Sequence, residues 1–360
     1  MSSWLTIEFF TRAKVTIRNL DCFRHPTSSV GKYDHIQVQL RDGIRIRTET
    51  LGTVVCDANS PTGDVVVVSH AHTDHLPRSK PQSPVICSEL TADLAVARRS
   101  FDTLPVTNHP AITLIPAGHV AGSRAALITD RNCRILFTGD VTTRNRPGLE
   151  GFKPVSADIL ILEATYGKLM YEFPPVEDVT ESVIDWIAQE PDRPVIFGGY
   201  ALGRAQRLIR MLGPHLDDPI KTTKGVRALN QIITHHTGKS FPTTEFSPDT
   251  GFERGDVVLL PAGTRTTKQM KRLIERENPR TASFTGWAAD SSFQYRGSVD
   301  QGFIFSDHCD FSELIALVSA VDPEIVYTHH GFSKSLAEEL TRRGYHAQAL
   351  DRHHRPLDTF

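Results

Sequence analysis

The sequence predicts a mixed α/β fold, and three observations carry that prediction. Short β-branched runs alternate with helical stripes along most of the 360 residues. Strand after strand ends in a histidine or an acid. The chain also changes character near residue 172 and reverts after 296, so it reads as a sheet-based body with an inserted α/β segment. The expected layout is an N-terminal extension of unknown role over 1–31, a body over 32–171 and 297–360, and an insertion over 172–296.

The length allows one large or two ordinary domains with real cores. Hydrophobic residues make up 39% and charged residues 23%, near the values of a soluble globular protein. The formal net charge is −2, so no global basic field draws in nucleic acid, and any polyanion site has to be local. The five cysteines (Cys22, Cys56, Cys87, Cys133 and Cys309) are odd in number and form no C-x-x-C pair. A reducing, cytoplasmic location is therefore expected rather than a disulfide framework. Residues 1–20 scatter Arg12, Lys14 and Arg18 among apolar residues, without the apolar core of a signal peptide. No run of ~18 apolar residues occurs, so no membrane span is expected.

Within 1–31 the pattern is weak, with a short strand at Ile7–Phe10 and a loop over Asn19–Gly31. Ile36, Val38 and Leu40 then alternate with polar residues, Arg41-Asp42-Gly43 turns, and Ile44 to Thr50 alternates again. Thr53 to Asp57 is a further strand. Asp57 at its end reads as a cap, a turn residue or a partner for a metal-binding histidine.

The central stretch is 65–77. Four valines, Val65–Val68, are too short and too β-branched a run for a helix and predict a buried strand. His70, His72, Asp74 and His75 follow. In extended backbone His70, His72 and Asp74 share a face, and His75 needs only a slight turn to join them. Nitrogen and oxygen donors at a strand end suit zinc or a similar divalent ion.

Ser88 then caps a predicted helix Glu89–Arg99. Strand Ile112–Ile115 runs into Pro116-Ala117-Gly118-His119. A hairpin, Ala125–Thr129 and Arg134–Thr138, ends in Gly139-Asp140, where the glycine permits close backbone approach. Strand Asp158–Leu162 ends in Glu163. Strand endings at Asp57, His70, His119, Asp140 and Glu163 are too regular a series for chance placement.

In the insertion, Asp178–Gln189 is an amphipathic helix, and Pro194–Phe197 a strand. Gly198–Gly203 leads into a helix from Arg204 to Leu212. Strand–glycine–helix can present free N–H groups to an anion, or be an ordinary βα turn. Residues 172–296 carry 16 basic and 16 acidic side chains, but 198–228 and 263–280 each hold six basic and two acidic ones. These tracts read as solvated helix faces or as a phosphate-backbone track. Strand Phe303–Phe305 precedes Ser306-Asp307-His308. Helix Phe311–Ala320, strand Glu324–Thr328 ending in His329-His330-Gly331, helix Ser333–Arg343 and strand His346–Leu350 complete the chain.

The H-x-H-x-D-H stretch His70–His75 resembles the signature of the metallo-β-lactamase superfamily. The ordered set Asp57, His70-x-His72-x-Asp74-His75, His119 and Asp140, then Glu163, His308 and His330, resembles the β-CASP nucleases of that fold from about residue 35 onward. The segments Glu163–Gly167, Tyr200–Leu208 and Gly286–His308 look most like bacterial exonucleases associated with DNA ligase, related to Artemis-type repair nucleases. His330 before glycine is instead the choice of RNA-processing relatives. The resemblance implies an αββα sandwich with an inserted cap and two zinc ions, with manganese as a substitute. His70, His72 and His119 would hold one ion, and Asp74, His75 and His330 the other, with Asp140 bridging. Asp57 would orient the cluster. Glu163 would orient His308 as general acid, with Asp74 also in the catalytic set. The expected activity is 5′-end-dependent hydrolysis of nucleic acid, DNA ahead of RNA, beside a DNA ligase or repair partner. Arg204 and Arg207 are the expected nucleic-acid contacts. A ribonuclease acting in mRNA 3′-end processing is the alternative, and a small-molecule hydrolase would need neither Glu163, His308 nor the cap.

Overall fold

The computed structural model describes residues 32–99, 101–290 and 299–351. The expected strand Ile7–Phe10, the loop Asn19–Gly31 and Cys22 lie outside the described residues. The chain divides into two units, 1–34 and 35–360; the elements below belong to the second.

The valine run forms a strand as its composition requires. In chain order the first strands are β1 (Gln37–Leu40), β2 (Ile44–Arg47), β3 (Thr53–Cys56), β4 (Val65–Val67) and β5 (Val85–Ile86), and they form one sheet in that order. The Arg41-Asp42-Gly43 turn takes φ of 50° at Asp42 and 87° at Gly43, the left-handed backbone a tight hairpin needs. Helix α1 (Glu89–Arg98) begins at Ser88, whose Oγ accepts from the Thr91 N–H at 3.1 Å.

Next come β6 (Ile112–Pro116), β7 (Arg124–Asp130), β8 (Cys133–Phe137) and β9 (Ile159–Glu163). After the insertion, α7 (Phe311–Val321), β16 (Ile325–His329), α8 (Ser333–Arg342) and β17 (His346–Ala349) return to the body. The second sheet has the order β17-β16-β9-β8-β7-β6. Leu160 and Leu162 of β9 and Leu136 of β8 pack with Leu314, Leu317 and Val318 of α7 and Leu336 and Leu340 of α8. Their strand neighbours Ile135, Phe137, Ile159 and Ile161 point the other way and are equally buried. On that side the Arg124 N–H donates to Ser69 O at 2.8 Å, and the Glu49 N–H donates to Asp130 at 2.8 Å. On the first sheet, Val66 and Val68 share a cluster with Leu90, Leu94 and Ala95 of α1. Helices thus cover the outer face of each sheet.

The insertion builds its own parallel sheet. It comprises α2 (Val176–Ala188), β10 (Val195–Gly199), α3 (Arg204–Leu212), β11 (Lys221–Thr222), α4 (Lys224–Thr237), β12 (Thr244–Glu245), β13 (Val257–Pro261), α5 (Ala262–Arg265), α6 (Lys268–Glu277), β14 (Arg280–Phe284) and β15 (Gln301–Phe303). The strand order is β12-β11-β13-β10-β14-β15. Its near-continuous apolar strands, such as Val257–Leu260, match a sheet buried on both faces. The strand expected over Phe303–Phe305 in the returning body is instead β15 over Gln301–Phe303, in the insertion's sheet, where Phe303 pairs with Phe284. Period-two patterning identifies a strand but carries no record of its partner, so the return to the body comes after this strand.

Among the described residues no helix is long and apolar enough to cross a membrane. Cys56, Cys87, Cys133 and Cys309 are buried.

Candidate metal centre

Sheet pairing gathers the acidic and histidine-bearing strand ends. β3 runs parallel to β4, and β8 parallel to β9, so their C-terminal ends share an edge of each sheet. β6 reaches the same edge because two antiparallel pairings, β6/β7 and β7/β8, restore its direction. At Gly139 φ is 55°, and a Cβ there would stand 2.6 Å from Ser69 Cβ, so only glycine lets Asp140 approach the 69–75 turn.

His70, His72, His119 and Asp140 each bring one donor atom within 4.8 Å of the others. An ion with tetrahedral donors at about 2.1 Å holds those donors about 3.4 Å apart. Asp140 Oδ2 lies 3.6 Å from His70 Nε2 and 3.5 Å from His119 Nε2, and His119 Nε2 lies 3.3 Å from His72 Nδ1. On its other side Asp140 Oδ2 is 3.4 Å from His75 Nε2, itself 3.7 Å from Asp74 Oδ2. One carboxylate oxygen therefore stands between two sets of donors. His70 Nε2 is buried without a hydrogen-bond partner. Leaving such an atom unmet costs about 1–3 kcal/mol, which a bound cation would remove. The residues present fit a divalent metal.

The remaining nitrogen of each ring is anchored. His70 Nδ1 meets Ser69 Oγ at 2.9 Å, His72 Nε2 meets Leu202 O at 3.0 Å, and His119 Nδ1 meets Asp307 O at 3.0 Å. His75 Nδ1 meets Asp57 Oδ2 at 2.8 Å. Such partners fix tautomer and ring orientation. Burial pulls His70 and His119 well below the usual histidine range, helped by neighbouring imidazoles, and brings His72 to about 4. Neutral rings are the form a cation binds. His75 differs: burial opposes its charge, but Asp140 and Asp57 lift it to about 10.

Asp57, whose role the strand pattern left open, braces the turn. It takes φ of 51°, and its carboxylate accepts from the Ser69 N–H at 2.7 Å and Ser69 Oγ–H at 2.5 Å while holding His75. The reading of His70, His72 and Asp74 as one extended face needs correction. The strand ends at Val67, and the His75 N–H donates to His72 O at 3.0 Å, closing a turn. That turn brings His75 inward and leaves the Asp74 side chain 80% exposed. His330 is exposed, with φ of 60° and its ring centroid 6.0 Å from that of His75. His329 is instead buried and stacked on Phe137.

His308 Nδ1 is 2.8 Å from Glu163 Oε1. Glu163 also accepts from the Val141 N–H at 2.9 Å and from the Thr165 hydroxyl. Burial pushes Glu163 upward, but His308 and these donors together hold it below the usual range. Burial lowers His308, yet Glu163 and Asp140 outweigh it and raise the ring to about 9. Asp140, Glu163 and His308 offer donor atoms within 4.8 Å of one another.

Two sequence expectations change. Arg204 is buried and Arg207 mostly so, and both are paired with an acid rather than standing as free surface cations. Arg204 Nε donates to Asp307 Oδ2 at 2.9 Å with 5% of its side chain exposed, and Arg207 donates to Asp307 Oδ1 at 3.1 Å. Helix periodicity showed these cations but not the acid they neutralise. Arg146 joins them, at 3.2 Å from Asp307 Oδ1, and nothing in the sequence singled it out. The glycine turn 198–203 likewise meets the cluster with a carbonyl, Leu202 O, which repels anions. Its Gly203 N–H is taken by Gln206 Oε1 at 2.7 Å, and the Ala205 N–H by Tyr200 O at 3.1 Å.

The chain is 34% identical over 298 residues to a protein named "Probable DNA ligase" from Opitutus terrae, an alignment covering 79% of this chain and 28% of that one. It is 29% identical over 217 residues to Endoribonuclease YSH1 of Gibberella zeae, covering 58% of this chain and 22% of that one. It is 26% identical over 186 residues to an RNase J-like protein of Methanocaldococcus jannaschii, covering 42% of this chain and 44% of that one. The chain thus spans under half the length of each of these relatives. A solved structure of a protein of unknown function from Enterococcus faecalis V583 shares the fold, with TM-score 0.56 and 13% identity over 89% of this chain and 98% of that one. No family model matches. Fold and site together define a protein with a buried histidine–carboxylate cluster fit for divalent metal. With its motifs and relatives, the chain belongs to the β-CASP group of metallo-β-lactamase-fold proteins.

Proposed function

We propose that the chain is a metal-dependent nuclease that shortens DNA from its 5′ end, with the metallo-β-lactamase sandwich over 32–171 and the residues after β15, and the β-CASP cap over 172–303. The observation that carries this reading is the His308–Glu163 pair beside Asp140. Glu163 holds Nδ1 of a ring kept protonated near neutral pH, which leaves Nε2–H to protonate the leaving oxygen of a phosphodiester. Two zinc ions, or manganese, held by His70, His72 and His119 and by Asp74, His75 and His330 with Asp140 between them, would supply Lewis-acid stabilisation and water activation. Asp57 fixes His75, and the Leu202 and Asp307 carbonyls fix His72 and His119.

Exposed aromatic rings border the cluster. Tyr200 is 68% exposed with its ring 5.7 Å from His72, and Trp287 is 38% exposed beside Tyr166. Such rings suit unpaired bases, which stack without sequence preference. The alignment over 298 residues to the ligase-named relative favours DNA and a ligase or repair partner. The basic track moves to α6, where Lys268, Lys271 and Arg272 are exposed without an ion pair among the described residues. In the other tract, Lys221 and Arg227 are paired with Glu253, Asp256 and Glu245.

A 5′-labelled single strand is expected to lose its label first, with a circular strand resistant. Equal cutting of the circle would remove the end requirement. Strict preference for RNA would favour the second reading, RNA processing, which rests on His330 beside His75 and on the endoribonuclease relatives.

Protein purified without added metal is expected to contain near two divalent ions per chain by elemental analysis, and His70→Ala less. Absence of metal, with no activity on adding zinc or manganese, would sink the reading.

A further inference from the structure

Two large apolar side chains stand in water a few residues after Glu163. Leu169 is 70% exposed and Met170 54%, at the tip of the turn that leaves β9. Turn tips ordinarily carry glycine, proline, asparagine, aspartate or serine. Trp287, 38% exposed, packs on Tyr166 and Tyr171, the two rings that flank the tip, with centroids 4.9 and 5.4 Å away. Three of the large hydrophobic side chains exposed among the described residues thus gather at one turn. A single exposed leucine needs no explanation, but a gathered apolar surface marks a binding site.

The tip is held out by fixed backbone. The Lys168 N–H donates to Tyr166 O and the Tyr171 N–H to Lys168 O, both at 2.9 Å. Tyr166 and Tyr171 are each 3% exposed, and Tyr171 stacks on Phe332 at 5.4 Å with the planes 24° apart. A Cβ on Gly167 would stand 2.9 Å from Leu336 Cβ, so the turn rests directly on α8. The same supports tie it to the site. The Tyr166 ring is 6.0 Å from that of His308, and Phe332 follows His330 by two residues. Lys168 is exposed over Phe332, with Nζ 4.3 Å from the ring centroid and no ion pair among the described residues. An unpaired cation at the apolar tip suits a partner that carries both flat apolar groups and negative charge, as a nucleic-acid strand does.

We propose that Leu169 and Met170 form a wedge that parts the last base pair of a duplex end, so that the chain takes paired DNA as well as single strands. The entering strand stacks a base on Trp287, the two apolar side chains stand in place of its partner base, and Lys168 meets a backbone phosphate. Leucine and methionine are residue types that proteins insert between bases. Parting one base step costs about tenfold in an equilibrium constant. A base stacked on an aromatic ring returns a comparable amount. The choice of nucleic acid rests on the nuclease reading.

The test separates opening from cutting. The first probe is a blunt duplex with phosphorothioate linkages at its ends, which resist hydrolysis, and 2-aminopurine at the 3′ end of the partner strand. With the metal-loaded full chain, fluorescence should rise as that base leaves the stack. The double variant Leu169→Ser/Met170→Ser changes exposed residues only, and circular dichroism should show it folded. It should give no rise. On unmodified DNA its rate should fall about tenfold for the blunt duplex and stay within about twofold of the parent for a single strand. A duplex with two unpaired nucleotides at the 5′ end should restore it. Trp287→Ala should slow both substrates. Opening or duplex cutting by the double variant at the parent's level overturns the wedge. So does equal loss on single strand and duplex, or a parent that binds the duplex without opening it. Loss of a dimer in the variant, with its handling of DNA unchanged, would assign the patch to a second copy and overturn the wedge as well. A parent that opens the duplex but cuts neither substrate supports the wedge and ends the nuclease reading.

Discussion

His308→Ala should lose turnover by about 10²–10⁴-fold while keeping its metal, the loss expected when a positioned general acid is removed. The ring is committed through Nδ1 to Glu163, and Glu163 is itself held by Val141 and Thr165. That chain of contacts orients a proton donor and leaves Glu163 little freedom to reach an ion. Single-turnover rates on a labelled strand, with metal content measured on the same sample, separate the two roles. Loss of an ion in the variant would make His308 a ligand and end its assignment as acid. Glu163→Gln offers a second view, since it keeps the shape but removes the charge that raises the His308 ring; its rate should fall as well.

Asp307→Asn should destabilise the fold by about 3–5 kcal/mol, as removal of one partner from a buried ion network does. A single carboxylate faces Arg146, Arg204 and Arg207, and its side chain is 5% exposed. The three cations hold Asp307 well below the carboxylate range despite its burial. Without that charge, three guanidiniums remain together with no counter-ion. Denaturant unfolding of parent and variant measures the cost. A difference under about 1 kcal/mol would mean that water or an anion already compensates the arginines. The same residue links stability to the site, because its carbonyl holds His119 Nδ1 at 3.0 Å.

The two arginines at the start of α3 show where reading from sequence stops. Arg204 and Arg207 sit in a tract of six basic and two acidic residues, and local charge counting suggested a surface for phosphate. Asp307 lies about 100 positions away in the chain, at |i−j| of 103 and 100, so no window could pair them. The same limit hid Arg146 and the Leu202 carbonyl. The shared face of His70, His72 and Asp74 met a different limit: alternation assumes extended backbone, and one hydrogen bond from the His75 N–H to His72 O turns the chain instead.

What could be read without coordinates was local and repetitive. Apolar runs marked the strands, Ser88 marked a helix start, and the strand endings marked His70, His119, Asp140 and Glu163 as a set. These signals survive because a strand's period and a cap's hydrogen bond depend on a few consecutive residues. The elements over 213–285, among them the apolar strand Val257–Pro261 and the Thr267-capped helix Lys268–Glu277, carry local signals of the same kind that the sequence reading passes over. Tertiary structure alone decides which sheet Gln301–Phe303 joins and which arginines are spent on Asp307. Strand pairing, burial and ion pairing depend on distances between segments far apart in the chain, and those distances exist only once the sheets have packed.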